Sequence, residues 1–263
     1  MFSTKKFYSK CDDWLTKYKD GKIVLPRNSH DDSWSPLFDK LFIDPKMAKL
    51  EEKLSSEMMM SADSYKLYPK PDYVFRSFMM TKFSEVTVVF LGQDPYFNSE
   101  KYEDVDVPQA YGLSFSVMDG FSIPSSLSNI YKNLVKYGHL ETEPSGGCLD
   151  FWAYQGCLML NTALTVLDGQ KKCHSSIWRW FTDEVIRYIS KHRDHVVFVL
   201  WGADAYEKIN LIDQDKHDVI ISSHPSGMSA DKPMKDYPAF NKNDHFGKIN
   251  MFLKKHKQHM IYW

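Results

Sequence analysis

The chain lacks any apolar run long enough to span a bilayer. Its first residues, MFSTKKFYSKCDDW, hold no apolar stretch ending in a small-residue cleavage site. No membrane partner is expected, and an intracellular location is: the cytoplasm of a prokaryote, a nucleus or a virus-infected host cell. Cysteine is scarce, with only Cys11, Cys148, Cys157 and Cys173. They form no C-x-x-C pair and no metal-ligand spacing, so reduced thiols are expected rather than a disulfide framework, a zinc site or an iron–sulfur site. The sequence implies no metal and no organic cofactor. It contains no G-x-S-x-G nucleophile motif, which argues against an unrelated α/β hydrolase of small molecules. Repeats and low-complexity tracts are also absent.

An excess of charge of either sign is missing too. The formal net charge is −1, from 33 basic and 34 acidic residues. A protein that coats nucleic acid indiscriminately carries a strongly positive surface, so any contact with DNA here must be local. Basic residues do gather near the C-terminus, where Lys242, Lys248, Lys254, Lys255 and Lys257 face the single acid Asp244, a pattern that fits a solvated helix face.

What is present is enough apolar material, 43% of 263 residues, to bury one substantial core. One domain over residues 1–263 is expected, with residues 1–31 as an N-terminal helical extension. Residues 1–80 read as mostly helical, interrupted by Pro69 and Pro71. Four short apolar, β-branched runs read as strands: Val86–Leu91, Cys157–Leu160, Val196–Trp201 and Val219–Ile221. Their unbroken apolarity indicates burial on both faces, as in a parallel sheet.

Helical periodicity lies between the strands. Ser126–Val135 carries Leu127, Ile130 and Leu134 on one face, with Ser125 or Ser126 as cap. Ser175–Ser190 carries Ile177, Phe181, Val185 and Ile189, with Ser175 or Ser176 as cap. Asp244 is placed to cap a last helix bearing Phe246, Ile249, Phe252 and Leu253, after which Tyr262 and Trp263 are expected to pack back on the body. Asn98–Gln109 (NSEKYEDVDVPQ) is polar, acidic and contains Pro108, and fits an exposed loop better than a strand.

In parallel α/β sheets ligands bind beyond the carboxyl ends of the strands. Gly92-Gln93-Asp94-Pro95-Tyr96 follows the first strand, Asn161 the second, Gly202 the third, and Ser222-Ser223-His224-Pro225-Ser226 the fourth. An acid, an amide and an imidazole thus converge on one rim, where a carboxylate and a histidine can activate water or stabilise charge across a breaking bond. Each has a bland reading alone: Asp94 as a turn former before proline, His224 as a loop histidine, Asn161 as a strand end, and Phe115 as core. Their joint placement favours the functional reading.

The motifs are more specific than that placement. LGQDPYF at Leu91–Phe97, GLSFSV at Gly112–Val117, WAYQGCLMLNTALTV at Trp152–Val166 and SSHPSGMS at Ser222–Ser229 together resemble the family-one uracil-DNA glycosylases. The resemblance covers roughly residues 32 to 263. It implies a single three-layer α/β/α domain with a central four-stranded parallel sheet. It also implies hydrolysis of the uracil glycosidic bond in single- or double-stranded DNA by a base-flipping repair enzyme, a monomer with possible replication or repair partner proteins.

By motif position the resemblance makes Asp94 the catalytic carboxylate and His224 the donor to the uracil O2. Asn161 reads O4 and N3–H, Tyr96 blocks the thymine methyl, Phe115 stacks on the ring, and the Gln93 backbone helps fix it. Met228 stands where the family has a leucine wedge, and Ser126, Ser223 and Ser226 match loops that pinch the DNA backbone. The chain departs from the pattern at Phe97, usually histidine, in a proline-rich loop reduced to Ser122–Ser126, and at Gly227-Met228 in place of Pro-Leu. The acidic segment, net −3, would disfavour DNA if it lay over the binding face. Two rival readings, a DNA-binding accessory protein and a glycosylase of other bases, are opposed by the intact Asp94, Asn161, His224 and Tyr96.

Overall fold

The computed structural model describes residues 4–61 and 64–263. Helices α1 (Thr4–Ser9), α2 (Trp14–Lys17), α3 (Ser35–Ile43) and α4 (Pro45–Ser61) precede the short strand β1 (Leu67–Tyr68) and helix α5 (Arg76–Met80). Strand β2 (Val88–Gly92), the hairpin β3 (Ser99–Tyr102) and β4 (Val105–Pro108), helices α6 (Ser125–Lys136) and α7 (Asp150–Tyr154), and strands β5 (Cys157–Asn161) and β6 (Val166–Leu167) follow. The chain ends through α8 (Ser175–His192), β7 (Val197–Trp201), α9 (Ala203–Tyr206), β8 (Asp218–Ser222) and α10 (His245–Lys255).

The expected architecture is present. Strands β5-β2-β7-β8 form one sheet, and every neighbouring pair is parallel. Alternation along the strands divides the core into two layers. Val89, Leu91, Leu158, Leu160, Phe198 and Leu200 face α3, α4 and α8, while Val88, Phe90, Met159, Val197, Val199 and Trp201 face α6, α7 and α10. The first three strands of the sheet order are buried throughout, as their apolarity implied, whereas β8 is an edge strand and only partly buried. No helix among the described residues is long and apolar enough to cross a membrane.

The segment expected to be an irregular loop, Asn98–Gln109, is instead an antiparallel hairpin. Its composition concealed this because the polar side chains pair with one another. Lys101 lies directly across from Asp106, and Asp106 accepts from both Lys101 and Lys66 at 2.9 Å. Val107 is fully buried, and Pro108 sits at the strand end, where no ladder donor is required. Glu103 turns the chain with φ +53°.

Both expected serine caps are corrected. α6 begins at Ser125 after Pro124, and α8 begins at Ser175 after His174, so the serines lie inside the first turns. The His174 ring is drawn inward instead, with Nε2 2.9 Å from Glu57 and Nδ1 2.8 Å from Thr165. Asp244 does cap α10, accepting from the Gly247 N–H at 2.9 Å. Trp263 packs against Trp152 and Phe246 at 5.1 and 4.8 Å, but Tyr262 stays exposed. Of residues 1–31, the described part is helical only in α1 and α2, and it is tied to the body: Tyr8 Oη donates to the Ala110 carbonyl at 2.7 Å and Trp14 Nε1 to that of Pro69 at 2.8 Å.

Phe181 is fully buried among Phe38, Phe75 and Trp178, at centroid distances of 5.5, 5.7 and 5.5 Å. Phe181→Ala is expected to lower stability by about 3–5 kcal/mol through lost burial and the cavity left behind, read as a shift in the urea unfolding midpoint at unchanged m-value.

Candidate active site

The parallel register of β2 and β5 sets Gly92 opposite Asn161 at the carboxyl end of the sheet. A Cβ on Gly92 would come within 2.2 Å of the Asn161 Oδ1 and 2.8 Å of the Ser114 Cβ, so only glycine leaves the amide its place. The loop after β2 is pinned to the loop after β5: the Gln93 carbonyl accepts from Thr162 Oγ1 at 2.7 Å and Ala163 N–H at 3.0 Å. On the other side of the sheet, Gly202 follows β7 with φ +93°, and a Cβ there would lie 3.0 Å from the His224 Cβ. The Asn129 amide of α6 donates to the Pro225 carbonyl at 2.7 Å and holds the β8 loop from above.

These loops enclose a cavity of about 380 Å³ lined by Asp94, Tyr96, Phe115, Asn161 and His224. The rim reading from sequence joined Asp94, Asn161 and His224, the family resemblance added Tyr96 and Phe115, and the tertiary structure brings all five to one cavity. Phe115 has φ +62°, a left-handed backbone that a bulky residue adopts only under constraint. Tyr96 supplies part of that constraint by donating its hydroxyl to the Phe115 carbonyl at 3.0 Å. The Phe115 ring stands edge-on to Trp201 and 5.9 Å from the His224 ring. Asn161 is 7% exposed, and its side-chain amide has no hydrogen-bond partner among the described residues. The Gln93 Nε2 is likewise buried without a partner there.

Burial is the leading influence on both ionisable groups, and it pushes them in opposite directions. It raises the Asp94 carboxyl above the usual aspartate range, against the lowering influence of the Lys172 N–H, which donates to Oδ2 at 2.8 Å, and of the Lys171 and Lys172 charges. It depresses His224 to about 4. The imidazole is therefore neutral at pH 7. Its Nδ1 accepts from the Ser226 N–H at 3.0 Å, which leaves the proton on Nε2 as a free donor. The cavity thus holds a carboxylate able to face positive charge, a neutral N–H able to face negative charge, and an amide offering both a donor and an acceptor. No group of three or more His, Cys, Asp or Glu side chains among the described residues is arranged to hold a metal ion.

The model of the Uracil DNA glycosylase superfamily matches residues 79–254, the stretch that builds this cavity. The chain belongs to the uracil-DNA glycosylase superfamily. It is 39% identical to the uracil-DNA glycosylase of Helicobacter hepaticus, over 92% of this chain and 96% of that protein. It is 40% identical to that of Pseudomonas syringae pv. tomato, over 88% and 93%. The crystal structure of mimivirus uracil-DNA glycosylase superposes with a TM-score of 0.89 at 35% identity, covering 96% of this chain and 93% of that one. Variants of the mimivirus glycosylase have also been crystallised in complex with UGI, and superpose equally well.

Within this uracil-DNA glycosylase fold the expected DNA contacts fall into two groups. Met228 is 79% exposed at the tip of the β8 loop, and Ser126 and Ser226 line the cavity mouth. Ser223 is already committed: its hydroxyl donates to the Ser229 carbonyl and accepts from the Phe240 N–H, both at 2.9 Å, and its own N–H goes to Pro238. That side chain shapes the loop rather than offering a free hydroxyl to a phosphate. Sequence reasoning named neither Thr162 and Asn129, which hold the loops, nor Lys172, whose backbone holds Asp94. The first two are polar residues beside motif positions, but nothing local marks an N–H 78 positions away as the partner of Asp94.

Two outcomes are expected. Gly92→Ala displaces the Asn161 amide and should lower kcat/KM on uracil-containing DNA by about 10²-fold, the cost of a misplacement near 1 Å. The pH profile of kcat/KM should rise with Asp94 ionisation, at a pH above that of an ordinary aspartate, and show no step near 6.5. A step there that His224→Asn abolishes would show that His224 titrates freely.

Proposed function

We propose that this protein hydrolyses the N-glycosidic bond of deoxyuridine in DNA, releasing uracil and leaving an abasic site as the opening step of base excision repair. The observation that carries this reading is the convergence of the Asp94 carboxylate, the Asn161 amide and the neutral His224 imidazole on one cavity. Membership of the superfamily supports it independently.

The target nucleotide is flipped out of the stack so that its base enters the cavity. Phe115 stacks on the ring, and the Tyr96 side chain fills the space a 5-methyl group would need, which disfavours thymine. The Asn161 amide donates to O4 and accepts from N3–H. Cytosine offers the opposite pattern and would leave both groups unpaired in a buried site, a loss of about 1–3 kcal/mol each. The Gln93 backbone helps fix the base.

As the glycosidic bond lengthens, positive charge grows on the sugar and negative charge on the departing uracil. His224 Nε2–H donates to O2 and stabilises the anion by a preorganised hydrogen bond. Asp94 faces the oxocarbenium-like sugar and directs water to its anomeric carbon. The Lys172 N–H occupies Oδ2, and among the described residues Oδ1 has no hydrogen-bond partner and is left for that task. Met228 fills the stack vacated by the base, as an unbranched apolar side chain can, while Ser126 and Ser226 bind the flanking backbone. The reading requires no metal or organic cofactor. Uracil-containing DNA is the partner it names; a monomer, an intracellular setting and contacts with replication or repair proteins belong to the same proposal.

Single-stranded and duplex oligonucleotides carrying one uracil, with thymine and cytosine controls, test this directly. Release confined to uracil is expected, and Asp94→Asn should reduce it by about 10²–10⁴-fold. Binding without release would convert the reading to a DNA-binding protein, and equal release from the controls would sink the roles of Tyr96 and Asn161.

A further inference from the structure

A second cleft, of about 420 Å³, opens beside the base cavity and shares Gln93, Lys171, His224 and Ser226 with it. Its other charged residues are Lys172, Lys232 and Asp204. The three lysines are not equivalent. Lys172 Nζ holds both carboxylate oxygens of Asp204, at 2.8 and 3.0 Å, and the two charges cancel. Lys171 and Lys232 are exposed, and neither ammonium forms a hydrogen bond or an ion pair within the described residues. In a chain of net charge −1, the cleft therefore carries two ammonium groups held in no ion pair among the described residues, at the edge of the site.

We propose that Lys171 and Lys232 form a phosphodiester-binding site that holds the DNA backbone beside the flipped nucleotide. The inference rests on DNA being the substrate. A base seated in the first cavity leaves its sugar and phosphate outside it, and of the residues that line both clefts, Gln93, Lys171, His224 and Ser226, Lys171 is the one that carries a positive charge. Lys232 lines the outer cleft together with the exposed Met228 and extends the positive surface along the path of the next phosphate. Such contacts position a strand without reading its sequence. The Lys172–Asp204 pair keeps the one acid of this cleft from repelling the backbone. After burial, the Lys171 charge is also the strongest influence on His224, and after burial and the Lys172 N–H it is the next on Asp94, so the same cation lies close to both ionisable groups of the cavity.

Counterion release makes the site measurable. Each phosphate neutralised adds about 0.9 to the slope of log K against log salt on duplex DNA and about 0.7 on a single strand. The slope of log kcat/KM against log NaCl should therefore become shallower by about 0.9 on duplex substrate for Lys171→Ala and for Lys232→Ala, and by about twice that for the double variant. KM at low salt should rise in each. Lys49→Ala, on the exposed side of α4, serves as a control and should keep the wild-type slope. Wild-type slopes in the double variant, or an equal change in the Lys49 variant, would overturn the site. Failure of the wild-type protein to release uracil at any salt would instead overturn the reading of its activity, so the two failures are distinguishable.

Discussion

The close approach of two parallel strand ends, with Gly92 in register with Asn161, is the constraint on which the rest of the site depends. Because Gly92 has no side chain, the Asn161 amide can lie across the adjoining strand, 2.2 Å from where a Cβ would stand. That approach lets the Gln93 carbonyl accept two hydrogen bonds from the loop after β5, and those bonds set the path of Asp94 and Tyr96. Tyr96 in turn reaches the carbonyl of Phe115 and supports a backbone conformation that Phe115 would not adopt alone. One missing side chain thus places an amide, an acid and a ring.

The same enclosure sets the electrostatics. Removing water disfavours charge of either sign, so a single physical cause raises Asp94 and lowers His224. For the histidine this suits the proposed role, since a neutral N–H donor is what an oxygen gaining negative charge requires. For the aspartate it opposes the anion that the proposed reaction uses, and the fold answers with a backbone N–H on Oδ2 and nearby lysine charges that favour the anion. A low-dielectric pocket then strengthens every interaction made to the charges that develop during bond cleavage.

The hairpin between Asn98 and Gln109 illustrates how charge counted along a chain differs from charge presented in space. Its net −3 suggested repulsion of DNA. In the folded protein Asp106 is held by two lysines, and Glu100 accepts from the Gln109 amide at 2.8 Å and the Ser122 N–H at 3.1 Å, which ties the hairpin to the loop before α6. An acid that would repel a backbone from an open loop instead braces the cavity rim.

Strand positions, the alternation of strands with helices, and the residues Asp94, Tyr96, Asn161 and His224 were legible in the sequence, because burial on both faces of a parallel sheet leaves unbroken apolar runs and because these residues follow the strand ends, whereas Phe115 was marked only by its motif. The hairpin, the helix starts at Ser125 and Ser175, and the commitment of Ser223 were not. Three of these go with a partner distant in the chain, Lys66 for Asp106, Glu57 for His174 and Phe240 for Ser223, while the start at Ser125 simply follows Pro124. Residue type and spacing determined what this protein can do chemically. Only tertiary structure decided which polar groups remain free to do it, because a hydrogen-bonding group spent on a distant backbone atom looks the same in sequence as one left for a ligand.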